Sequence, residues 1–68
     1  MNLSEAINIV QHEARNQDLP FLEFLMEVNK NGIEEYCDLC AMYGELRQDF
    51  VLAYRIVMNA GREMFAPV

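Results

Sequence analysis

Apolar residues recur every seven positions through the second half of this chain. Tyr36, Tyr43, Phe50, Val57 and Met64 form one series, and Leu39, Leu46, Ala53 and Ala60 follow in phase three places later. A seven-residue spacing gives 3.5 residues per turn, close to the α-helical period, and no period-two alternation competes with it. Ile33, Cys40 and Tyr54 widen the seam. Gly44 falls at an outward position, where glycine costs about 1 kcal/mol relative to alanine. The repeat therefore predicts one long helix over about 33–60, about 42 Å long at 1.5 Å per residue.

Upstream, the same reading predicts two shorter helices. The first covers about 4–16, with Ser4 as its N-cap, Glu5 at the positive pole of the helix dipole, and a stripe of Leu3, Ile7, Val10 and Ala14. The second covers about 19–30. Asp18 is positioned to cap it, and Pro20 falls in the first turn, where the missing N–H costs nothing. Its body, Phe21 to Val28, is apolar over most of its circumference, which is the pattern of a helix buried on more than one side. Gly32 suits the left-handed position after this helix, and Asn31 is placed to cap the next one. A tail after about residue 61 is expected to fray, with Phe65 free to dock. The expected fold is a single all-α domain over 1–68, with two short helices packed on one long helix. Two short helices cover one side of a 42 Å rod and leave the other bare, so a helical homodimer is expected.

The charge balance narrows the partners. Eleven acidic residues against five basic ones give a net charge of -6. Phosphate binding draws on lysine and arginine clusters, and here the five cations are scattered, so nucleic acid and anionic membrane surfaces are both disfavoured as partners. No stretch approaches the roughly 20 apolar residues of a membrane span, and the start Met1-Asn2-Leu3-Ser4-Glu5 lacks the pattern of a signal peptide. A cytoplasmic location with two reduced cysteines is the expectation.

Few residues carry chemistry. Cys37-Asp38-Leu39-Cys40 is a C-x-x-C, but it falls inside a helical pattern without the α/β context of a thiol oxidoreductase. It also supplies only two of the four ligands that a structural zinc needs. Two small core residues are the simpler reading. His12 lies on the polar side of the first helix with no nucleophile beside it in sequence. No cofactor, no metal and no enzymatic activity are expected.

The residues expected at an interface are Leu22 and Leu25 of the second helix with Tyr43, Phe50, Tyr54, Val57 and Met58 of the long one. Tyrosine and methionine combine apolar area with adaptability, a mixture enriched where proteins meet. Glu34, Asp38, Glu45 and Asp49 fall within about 60° of each other at 100° per residue, away from the seam, and form an acidic ribbon about 22 Å long. These features predict a small acidic regulator or inhibitor that binds another protein through an apolar helix face and the ribbon. In type this is similar to phage-encoded modulators of host proteins and to antitoxins.

One competing pattern crosses Gly44. The stretch Asp38 to Gly44 resembles the first helix and turn of a helix-turn-helix, with Cys40 as the small residue and Gly44 as the turn glycine. The resemblance implies a DNA-binding transcription regulator whose recognition helix starts near Glu45 and presents Arg47, Gln48 and Arg55 to a major groove. The sequence departs from that pattern at Glu45, where an apolar residue is usual. Glu45 and Asp49 also cancel the charge of the two arginines.

Overall fold

A computed structural model describes the chain through residue 65, with side chains through residue 62. The elements it contains are four α-helices: α1 (Leu3–Asn16), α2 (Phe21–Asn31), α3 (Ile33–Leu39) and α4 (Gly44–Phe65). The all-helical class agrees with the sequence pattern. The long helix over 33–60 does not form, because the chain breaks between α3 and α4.

Backbone hydrogen bonds explain that break. The Met42 N–H donates to the Cys37 carbonyl at 2.9 Å, and the Ala41 N–H donates to the Asp38 carbonyl at 3.2 Å. Ala41 lies between them in the left-handed region, with φ +52. This is a Schellman motif, which satisfies the last carbonyls of a helix by turning the chain out of it. Met42 follows with its side chain buried, adding the apolar contact that such a stop recruits. Gly44, with φ +64, then opens α4. Gly44 therefore does not occupy a helix-interior position, and the heptad phase runs across a corner.

The other ends are equally local in cause. Asn2, not Ser4, caps α1: its side-chain oxygen accepts from the Glu5 N–H at 2.8 Å. Asp18 closes α1 and does not cap α2. It takes φ +56 in a second Schellman arrangement, with the Leu19 N–H on the Ala14 carbonyl and its own N–H on the Arg15 carbonyl. Asparagine and aspartate tolerate this conformation better than other non-glycine residues, which explains the switch of role. Pro20 stands directly before α2 with no side-chain cap. Gly32, at φ +92 and ψ +142, is the sole residue between α2 and α3, and it takes the place expected of Asn31 at the head of α3. That backbone geometry is open essentially to glycine alone. Finally, α4 continues through Gly61 to Phe65, beyond the expected end at residue 60. The side chains of Met64 and Phe65, and the expected fraying over 66–68, lie outside the described residues.

The core is built chiefly where α1 meets α4. Ala6, Val10 and Ala14 of α1 are fully buried, and the two alanines let α4 approach closely. Phe24 and Val28 of α2, Tyr36 and Cys37 of α3, and Phe50, Ala53, Tyr54 and Val57 of α4 complete it. Phe24, Tyr36 and Phe50 pack edge-to-face or tilted, with ring centroids 5.4 to 6.2 Å apart, and Tyr54 extends the cluster from Phe50 at 6.5 Å. The Tyr36 hydroxyl reaches out of this core to donate to Glu13 Oε1 at 3.0 Å.

Candidate protein-interaction surfaces

An apolar groove of about 540 Å³ lies among α1, α2 and α4. It arises because α1 packs on both neighbours, whereas no described Cα of α2 comes within 8 Å of one in α4. Leu3 and Ile7 contribute from α1, Leu22, Leu25 and Met26 from α2, and Val57 and Met58 from α4. Asn29 and Arg62 are the polar members of the lining. The apolar circumference of α2 accounts for the site. Phe24 and Val28 fill the core, which leaves Leu22 and Met26 on the outside, each 71% exposed. Gly61 also borders the groove, and a Cβ added there would meet nothing within 4 Å.

The seven residues expected at an interface do not form one surface. Phe50, only 1% exposed, and Tyr54 belong to the chain's own core, and Val57 is buried at the edge of the groove. Leu22, Leu25 and Met58 line the groove, Leu22 well exposed and the other two half-buried. Tyr43 lies elsewhere, exposed in the corner between α3 and α4. The division follows from the corner itself: once α4 folds back on α1, the Phe50–Ala53–Val57 side finds an intramolecular partner.

The acidic ribbon is also rearranged. Glu34 and Asp38 lie on α3, and Glu45 and Asp49 on α4. Arg47 bridges the two helices, with Nη2 at 2.5 Å from Glu34 Oε2 and Nη1 at 2.7 Å from Asp38 Oδ1. Hydrogen bonds to these two carboxylates hold the guanidinium firmly in its charged form. Half of the expected ribbon is therefore spent on an internal clamp across the corner. Among the described residues, Glu45 and Asp49 remain exposed without a cationic partner, as does Glu35, which sequence reasoning did not single out.

The same geometry bears on the helix-turn-helix resemblance. Residues 40–43 do separate two helices, and Gly44, at φ +64, opens the second, beside the expected start near Glu45. Arg47, the first cation of the expected recognition helix, faces α3 and is engaged there. The exposed side of that segment carries Glu45, Gln48, Asp49, Leu52 and Arg55.

Both cysteines are free thiols. Cys37 is fully buried, and burial pushes its thiol up, away from the thiolate form that reacts or binds metal. Cys40 is half-buried at the end of α3, where the Gln17 Nε2 approaches its sulfur at 3.8 Å. His12 is exposed on α1. Among the described residues, no three histidine, cysteine, aspartate or glutamate side chains converge in a metal-binding arrangement.

A second apolar surface forms where sequence reasoning placed only seam positions. Leu39 ends α3, Tyr43 closes the connection and Leu46 stands in the first turn of α4, and the three are 70, 69 and 65% exposed. Three consecutive heptad positions thus turn outward. The visible signal that could have found them is Gly44, read as the edge of a chain break in place of a tolerated interior glycine. Compared with protein-family models, curated proteins and solved structures, the chain matches none of them.

Proposed function

We propose that this chain is a non-enzymatic, cytoplasmic protein-interaction module that self-associates as a homodimer and regulates or inhibits another protein by binding it. The apolar groove carries the reading. Small folded chains seldom leave large apolar side chains at 71% exposure beside a cleft of this size unless something covers them. Its occupant is a second copy. One patch holds both a ridge, Leu22 and Met26, and a cleft bordered by Val57 and Gly61, so a two-fold axis can seat each copy's ridge in the other's cleft.

Two observations bear on what the cysteine pair and the arginines offer. The fully buried Cys37 has a raised thiol pKa, and Arg47 is withdrawn into an ion-pair clamp. Two free thiols suit a reducing compartment. No helix among the described residues is long and apolar enough to cross a membrane.

Solution mass by light scattering tests the reading. The unaltered chain is expected at twice 7.9 kDa, and Leu22→Asp, which places a charge on the exposed ridge, is expected to give a monomer of unchanged helicity. A monomeric unaltered chain at about 100 μM, above the micromolar range where a modest interface already associates, would overturn the homodimer.

A further inference from the structure

We propose that the corner between α3 and α4 is a second docking surface, and that it takes a partner protein presenting an apolar cleft rimmed by lysine and arginine. This rests on the reading of the chain as an interaction module but not on the homodimer. Leu39, Tyr43 and Leu46, the knuckle, flank the corner within eight residues of chain and are each about two-thirds exposed. Glu35 stands one turn before Leu39, Glu45 directly precedes Leu46, and Asp49 follows one turn later, all exposed and, among the described residues, without a cationic partner. The cations nearest in sequence are no counterweight. Arg47 is tied to Glu34 and Asp38, Arg55 lies six residues beyond Asp49 on α4, and Lys30 lies five residues before Glu35 in the last turn of α2.

An apolar patch ringed by one sign of charge selects a partner of opposite rim. Apolar burial supplies the affinity, while the charges speed encounter and reject acidic surfaces. The knuckle is also held in shape. The Schellman turn fixes its backbone, buried Met42 anchors the connection between Leu39 and Tyr43, and the Arg47 clamp ties α3 to α4 behind it. A surface ordered before binding loses little entropy on docking. The groove borders the opposite part of α4, around Val57 to Gly61, so self-association there leaves the knuckle uncovered. A dimer then offers two knuckles.

The probe is a synthetic amphipathic helical peptide with a leucine face rimmed by lysines, titrated into the ¹⁵N-labelled full chain. Amide shifts are expected to centre on residues 35–49, with affinity falling about tenfold in Leu39→Ser/Leu46→Ser, the loss expected when central apolar contacts are removed. Glu45→Lys/Asp49→Lys, which leaves the apolar residues in place, is expected to reverse the preference, so that the glutamate counterpart binds better than the lysine peptide. Shifts centred on Leu22 and Met26, shifts spread evenly over every carboxylate, or equal binding of both peptides would each overturn the proposal. So would a short DNA duplex moving the amides of Arg47, Gln48 and Arg55. Leu22→Asp separates the two readings. A chain made monomeric by it that still binds the lysine peptide retains the knuckle, and a dimer whose residues 35–49 stay silent retains only the groove.

Discussion

Tyr36, Phe50, Ala53 and Val57 share one seven-residue register with Leu39, Tyr43 and Leu46, yet the first group lies in the core and the second stands in water. Hydrophobicity does not separate them, since leucine at 39 and 46 is more apolar than tyrosine at 36 or alanine at 53. Topology does. Phe50, Ala53 and Val57 lie along the length of α4 that meets α1, whereas Leu39, Tyr43 and Leu46 flank a corner that no other helix covers. A periodic stripe therefore marks a surface able to be buried, and the packing partner decides which part is.

The sharpest test of that division is Phe50→Ala against Leu46→Ala. The first empties the centre of the aromatic cluster and is expected to cost about 3–5 kcal/mol, enough to unfold a marginal chain of this size. The second is expected to stay within about 0.5 kcal/mol, as exposed substitutions do. Urea denaturation followed by circular dichroism reads both, and equal losses would erase the contrast. Gly32→Ala comes next. It forces a side chain into φ +92, ψ +142 at the joint between α2 and α3, for an expected loss of about 1–3 kcal/mol by the same measurement, with Gly44→Ala costing less at φ +64.

The aromatic side of the division should also respond to alkali. Burial raises the phenol pKa of Tyr36, reinforced by its hydrogen bonds to Cys40 and Glu13, and burial alone raises that of Tyr54. The fold holds both as neutral phenols. Their contribution is complete below the ordinary tyrosine pKa of about 10 and is lost as pH rises above it. Melting temperature is therefore expected to fall above pH 10, and to fall less in Tyr36→Phe. Tyr54→Phe is expected to be neutral or stabilising at pH 7, since the buried hydroxyl has no protein partner among the described residues. One small expected effect is a gain. Ala41→Gly relieves a left-handed alanine and is expected to add about 0.5–1 kcal/mol, or a few degrees in melting temperature, by tightening the corner that sends Leu39 and Leu46 outward.

Much of the helical content was legible. The Leu3–Ile7–Val10–Ala14 stripe located α1 to within a residue, and Pro20 and Gly32 lay close to the two ends of α2, but Phe50, expected at an interface between chains, lies in the core of one. The corner was not legible for a specific reason. Chain reversal after α3 is carried by Ala41, a residue that ordinarily favours helix, and Gly44, the visible breaker, kept the heptad phase intact and so passed as a tolerated interior glycine. The acidic ribbon failed with it, because its four carboxylates were aligned on a helix that ends at Leu39. The groove left only a weak trace, the excess of apolar residues around α2. The splay of α2 from α4 that opens it depends on distances between segments far apart in the chain.

The chief packing among the described residues joins α1 to α4, two helices far apart in the chain, so each depends on the other for its main support. Neither α1 nor the greasy α2 buries much without α4, and the entropy of closing the intervening chain is offset chiefly by the α1–α4 contacts. Loss of α4 is consequently expected to leave α1 and α2 without a core to fold against.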